Sequence, residues 1–116
     1  MNDDPTCGPV DLDGFAGCGP VWGMASEDLN ATLLHWQAGE GVAEHVNPDL
    51  DVLLVVIAGS GAVDIDGREH AVRSGQALVL PKGTPRAVRG GPGGLRYLSV
   101  HRRRPGLQIE LAVRAD

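Results

Sequence analysis

Two stretches decide how this chain folds. The first is Gly41-Val-Ala-Glu-His45-Val-Asn47-Pro-Asp-Leu-Asp51-Val52, continued by an apolar run to Ala58 and closed by Gly59. The second is Gly75-Gln-Ala-Leu-Val-Leu-Pro81-Lys-Gly83-Thr-Pro-Arg86. Val52 to Ala58 has strand length and is rich in Val and Ile, as expected of a strand covered on both faces. Gly59-Ser60-Gly61 reads as a turn, and Ala62 to Asp66 alternates beyond it. Asp66-Gly67 is a strong tight-hairpin dipeptide, after which the pattern resumes from Arg68 to Val72. Ser74-Gly75 opens another turn, Ala77 to Leu80 forms a short strand, and Pro81-Lys82-Gly83 stops it.

Outward from these stretches the rhythm continues. Leu29 to Trp36 is the first convincing strand, ended by Gly39 and Gly41. Gly90-Gly91-Pro92-Gly93-Gly94 reads as a loop, followed by a strand from Leu95 to His101. Leu107, Ile109, Leu111 and Val113 recur with period two, which argues strand over helix. Residues 1–20 are acidic and turn-rich and are expected to be a loosely held lead-in, with the folded domain at 21–116. No segment offers a long helix. Many short strands at close spacing predict an all-β sandwich or closed barrel, and closure removes the exposed edges that a Val- and Leu-rich chain must avoid.

The chain has 116 residues, enough for one core, and 42 % of them are apolar, which places it among globular proteins. No apolar run approaches bilayer-spanning length and no charged-then-apolar leader opens the sequence, so a soluble, cytoplasmic protein without membrane partners is expected. The net charge of −5 hides a division: residues 1–67 carry −12 and residues 68–116 carry +7. Strands from the two halves of a barrel interleave, so opposite charges are expected to meet between them. His101-Arg102-Arg103-Arg104 is a compact basic run, but aromatic stacking partners are scarce (Phe15, Trp22, Trp36 and Tyr97) and no DNA-reading helix pair precedes the barrel. No nucleic-acid partner is expected.

From Gly41 to about Arg89 the sequence resembles the cupin superfamily of small jelly-roll β-barrels. The family's first motif is a glycine, a His-x-His pair, a glutamate and a closing glycine; its second is a glycine, five residues, Pro-x-Gly, two residues and a histidine. The glycines and prolines quoted above keep those spacings, and Asp66-Gly67 lies where family members usually turn. The resemblance therefore implies an antiparallel cupin-type jelly-roll barrel. It also implies a homodimer, formed by sheet packing or by exchange of terminal strands, with Leu107–Val113 a candidate contact.

The chemistry departs from the family. Metal-binding members use two histidines and a glutamate from the first motif and a histidine from the second, a set suited to iron, manganese, nickel or zinc. Here only His45 keeps its residue. Asn47 stands at the second histidine and Arg86 at the last, and a guanidinium has no lone pair to donate. Counting back from Gly59 puts Val52 in the glutamate slot, with Asp51 one residue earlier. A one-residue shift reverses the face of a strand side chain. Val52 is expected inward, although the uniform apolar run leaves Asp51 open.

Three functions follow as expectations. The first is a barrel without metal or cofactor that binds a small polar or anionic ligand through His45, Asn47 and Arg86, as a sensor or accessory module; arginine's planar fork suits carboxylate and phosphate. The second is a structural dimeric barrel in which Arg86 pairs with an acid such as Asp51 or Glu44. The third is a metal-dependent dioxygenase or isomerase using His45 with some of Asp51, His35 and His101. Catalytic residues are not expected otherwise. Ser60 lies in a turn without a nucleophile-elbow pattern, and the Gly90–Gly94 loop lacks the Lys-Ser/Thr ending of a phosphate loop. Cys7 and Cys18 each open a Cys-Gly-Pro-Val repeat and match no common zinc spacing.

Overall fold

A computed structural model describes residues 8–103, which form seven strands and, among the described residues, no helix. They are β1 (Gly19–Ala25), β2 (Leu29–Trp36), β3 (Gly41–His45), β4 (Val52–Ile65), β5 (Arg68–Arg73), β6 (Ala77–Leu80) and β7 (Arg86–Arg102). Every pairing is antiparallel. Cys7 and the candidate strand Leu107–Val113 lie outside the described residues. No helix among the described residues is long and apolar enough to cross a membrane.

Two long strands organise the barrel. The first half of β4 pairs with the second half of β7, Leu53 opposite Val100 through Gly59 opposite Leu95; the second half of β4 pairs with the first half of β7, Gly61 opposite Gly90 through Ile65 opposite Arg86. One layer therefore runs β1-β2-β7-β4-β6 and the other β3-β7-β4-β5. The turn expected at Gly59-Ser60-Gly61 and the loop expected at Gly90–Gly94 are both continuous with these strands, which bend there from one layer into the other. Their glycines mark where backbones cross. A Cβ on Gly61 would collide with the Arg89 carbonyl oxygen, and one on Gly59 with that of Gly94. The pairing shifts register at this crossing, as a bulge requires.

The Asp66-Gly67 hairpin forms as its sequence dictates, with φ of 52° and 83° at the two central residues, the signs of a type I′ turn. β1 and β3 escaped the sequence reading. The first begins Gly-Pro and carries a register irregularity between Pro20 and Trp22; the second is five residues long and mostly exposed, so neither shows an apolar period.

Alternation sets the core. Val52, Leu54 and Val56 of β4 point inward with Val63, Val72, Leu80, Val88, Leu95 and Tyr97. Val52 is 9 % exposed while Asp51 is exposed, so the register falls with Val52 inward. Trp36 packs against this cluster, and its Nε1 donates to the Tyr97 hydroxyl at 3.1 Å.

Described residues of the segment before β1 are hydrogen-bonded to the barrel. Arg96 donates to Phe15 O at 2.8 Å and to Leu12 O at 3.4 Å, and His35 Nδ1 lies 2.9 Å from Gly17 O. Phe15 stacks on Trp22 with centroids 5.8 Å apart. The turn-rich composition hid this because the anchors are side chains more than eighty residues away in the case of Arg96.

Candidate functional site

The two motif segments meet at one end of the barrel. Asn47 Oδ1 accepts from the backbone N–H of Asp49 and of Leu50, both at 3.1 Å, the side-chain-to-backbone turn that Asn favours. The Asn47 carbonyl accepts from Gly83 N at 2.8 Å, and Asp51 Oδ1 accepts from Lys82 N, also at 2.8 Å. The loop after β3 is thus clamped to the Pro81–Pro85 loop. Asp66 N donates to Pro85 O at 2.8 Å and ties in the hairpin as a third loop.

β7 starts at Arg86, whose register partners are His45 on β3 and Ile65 on β4. Arg86 is 2 % exposed and is the one buried charged side chain among the described residues. Its Nη2 lies 3.5 Å from Leu80 O, at the long limit of a hydrogen bond. Because Arg86 belongs to the layer containing β3 and Leu80 to the layer containing β6, this side chain crosses the barrel interior. His45 is its register neighbour but sits at the rim and is exposed, with Nδ1 3.0 Å from Ala43 O. A register irregularity between Val42 and His45 sets it there.

The three site residues read from the sequence therefore gather at one end with different tasks. Arg86 lies inside, His45 stands at the mouth, and the acceptor of Asn47 is committed to shaping its own loop. The other histidines lie elsewhere: His35 alternates with the core-facing Leu34 and Trp36 and is bonded outside the barrel at Gly17, while His101 Nδ1 faces Arg102 O. Cys18 is exposed, and desolvation together with the neighbouring Glu40 carboxylate raises its thiol pKa above the ordinary value, which disfavours the reactive thiolate.

A profile of the cupin domain matches residues 32–101, more than half of the chain. The chain belongs to the cupin family. Among solved structures, this cupin is similar to a conserved protein with a double-stranded β-helix domain from Klebsiella pneumoniae, with a TM-score of 0.76 and 19 % identity over 94 % of this chain and 93 % of that one. It is also similar to BH2720 from Bacillus halodurans, with a TM-score of 0.73 and 24 % identity over 87 % of this chain and 86 % of that one. At these identities the likeness carries the fold. Protein SchB of Streptomyces halstedii is 41 % identical over 44 residues, which are 38 % of this chain and 32 % of SchB, so the match spans about a third of that relative's length.

The residues in this cupin's motif positions do not fit the metal that the family implies. His45 offers one imidazole at the rim, Asn47 has turned its oxygen to backbone N–H groups, Val52 is a hydrocarbon, and Arg86 brings a permanent positive charge. Among the described residues no group of three His, Cys, Asp or Glu side chains comes together around a common point.

Proposed function

We propose that the protein is a metal-independent cupin that binds a small polar or anionic molecule at the His45–Arg86 end of its barrel, acting as a sensor or accessory module. The observation that carries this reading is the guanidinium of Arg86, held at 2 % exposure on the inner face where the family places a coordinating imidazole. A guanidinium there replaces a cation's charge with a fixed one and presents a planar donor fork suited to carboxylate or phosphate. His45, its register neighbour, is exposed at the same end of the barrel and offers a second polar contact.

The test uses citrate, inorganic phosphate and glucose 6-phosphate in thermal-shift and calorimetric titrations. Binding by at least one probe is expected, weakened in Arg86→Met and in His45→Ala. The second variant alters an exposed residue and protects the test against a misfolded Arg86→Met. Unchanged affinity in both variants, or near-stoichiometric iron, manganese or zinc in protein grown with those metals, overturns the reading. The latter result would move the protein to the metal-dependent enzyme class.

A second observation supports self-association. Val79, Leu53, Val100, Ala31 and Met24 are successive register partners on β6, β4, β7, β2 and β1 and form one apolar row on the outer face of their layer. Leu53 is 41 % and Val79 51 % exposed. The Phe15–Trp22 stack covers the other side of this face, by Leu33, and leaves the β4–β6 side open. We propose a homodimer that buries this row. Light scattering should give twice the chain mass for the native protein and the single mass for Leu53→Glu; a monomeric native protein at micromolar concentration refutes it.

A further inference from the structure

The outer face of the other layer carries a groove of about 470 Å³ whose lining includes none of His45, Asn47 and Arg86. We infer that this groove is a second binding site, for a small organic anion, with Arg73 and Arg89 as its anion-binding residues. Its floor is made of small outward side chains, Ala62 of β4 and Ala71 of β5, which are direct register partners. Arg73 lies opposite Ser60 across the β4–β5 pair, and Arg89 lies opposite Ala62 across the β4–β7 pair. The two arginines thus flank β4 from opposite sides, two residues apart along it. Sheet spacings put their Cα atoms about 12 Å apart, so both extended side chains can reach one anion above the floor.

Three features favour a ligand over a bare surface. The volume falls within the range of roughly 300–1,000 Å³ typical of small-molecule sites. Ser60 also lines the groove, and its hydroxyl adds a donor. Charge is available too. Arg73 has no ion-pair partner among the described residues, and Arg89 is matched only by Glu69 at 3.3 Å, in a half-exposed pair that a better-placed anion can displace.

The inference goes beyond the proposed function, because Arg86 and Val88 point inward on β7 whereas Arg89 points out. Titration with inorganic phosphate, citrate and glucose 6-phosphate, followed by amide chemical shifts, tests it. Saturable shifts are expected at Ser60, Ala71 and Gly91. Arg73→Ala and Arg89→Ala should each weaken binding by at least about ten-fold, as loss of a charged hydrogen bond implies. Glu69→Gln should tighten it by about two- to five-fold by releasing Arg89. Ala62→Leu should abolish it by filling the floor. Arg86→Met should leave these shifts in place, which separates this site from the one inside the barrel. Saturable binding that survives the Arg73 and Arg89 substitutions, or no saturable shift around the groove with any probe, overturns the inference.

Discussion

Substituting Gly59 by alanine tests the crossing of β4 and β7 on which the whole barrel depends. Gly59 has φ of 79°, a conformation that costs an L-residue roughly 1–2 kcal/mol. A Cβ there would also collide with the Gly94 carbonyl oxygen and lie 2.9 Å from the Gly94 carbonyl carbon, both backbone atoms that cannot rotate away. Forcing backbones apart by one methyl adds about 1–3 kcal/mol. Together the penalty is about 2–5 kcal/mol. For a domain of this size each kcal/mol lowers Tm by roughly 3–6 °C, so calorimetry should register a fall of roughly 6–30 °C. Gly67→Ala is the control. Its φ of 83° carries the same conformational strain, but nothing lies within 4 Å of the added carbon, so only about 1–2 kcal/mol is expected. Equal losses in the two variants would show that the close approach of β4 to β7 at Gly94 is wrong, and with it the two-layer bend.

Asn47→Ala removes the acceptor of two backbone N–H groups and should cost about 1–2 kcal/mol, read as a lower urea midpoint at unchanged slope; an unchanged midpoint would mean that the loop does not rely on this side chain. Tyr97→Phe deletes the hydroxyl that accepts from Trp36 Nε1 and should destabilise by about 1 kcal/mol with a shift in Trp36 emission. Unaltered emission would argue against that contact. The raised pKa of the Cys18 thiol means less thiolate at neutral pH, so its alkylation in a Cys7→Ser background should be slow at pH 7 and accelerate only at a pH above that of an ordinary cysteine. Labelling as fast as a free thiol at pH 7 would contradict it.

Where sequence pattern and local physics coincide, the fold is legible. Val52–Ala58 is apolar because both faces are covered, and Asp66-Gly67 turns because both residues accept positive φ. Legibility fails at Gly59–Gly61 and Gly90–Gly94, where glycine has a different cause. A turn and a backbone crossing both select glycine, and only the partner strand, some thirty residues distant, distinguishes them. The candidate site divides in the same way. The spacing from Gly59 and Gly75 places Val52 and Arg86 inward, because it counts residues along strands whose faces alternate. It could not reveal that Asn47 closes its own loop, since that depends on the backbone path from Pro48 to Leu50. The outer groove was invisible as well. Arg73 and Arg89 belong to different strands, and nothing in their sequence context predicts that both are paired with one short segment of β4.

Arg86 and a bound metal are alternatives rather than companions. A unit charge about 4 Å from another interacts by roughly 4 kcal/mol at an effective dielectric of 20, so a divalent ion beside the guanidinium would be repelled by about 8 kcal/mol. In metal-binding relatives that ion's ligands repay its desolvation. At this position one rim imidazole, a committed amide and a hydrocarbon cannot. The buried arginine carries its own desolvation cost of several kcal/mol, however, and a barrel this small has little stability to spare. Polar contacts inside the barrel, Leu80 O at 3.5 Å among them, offset that cost. An anion that reached the barrel interior would be attracted by this charge. The same electrostatics that oppose a cation at Arg86 favour a carboxylate or phosphate there.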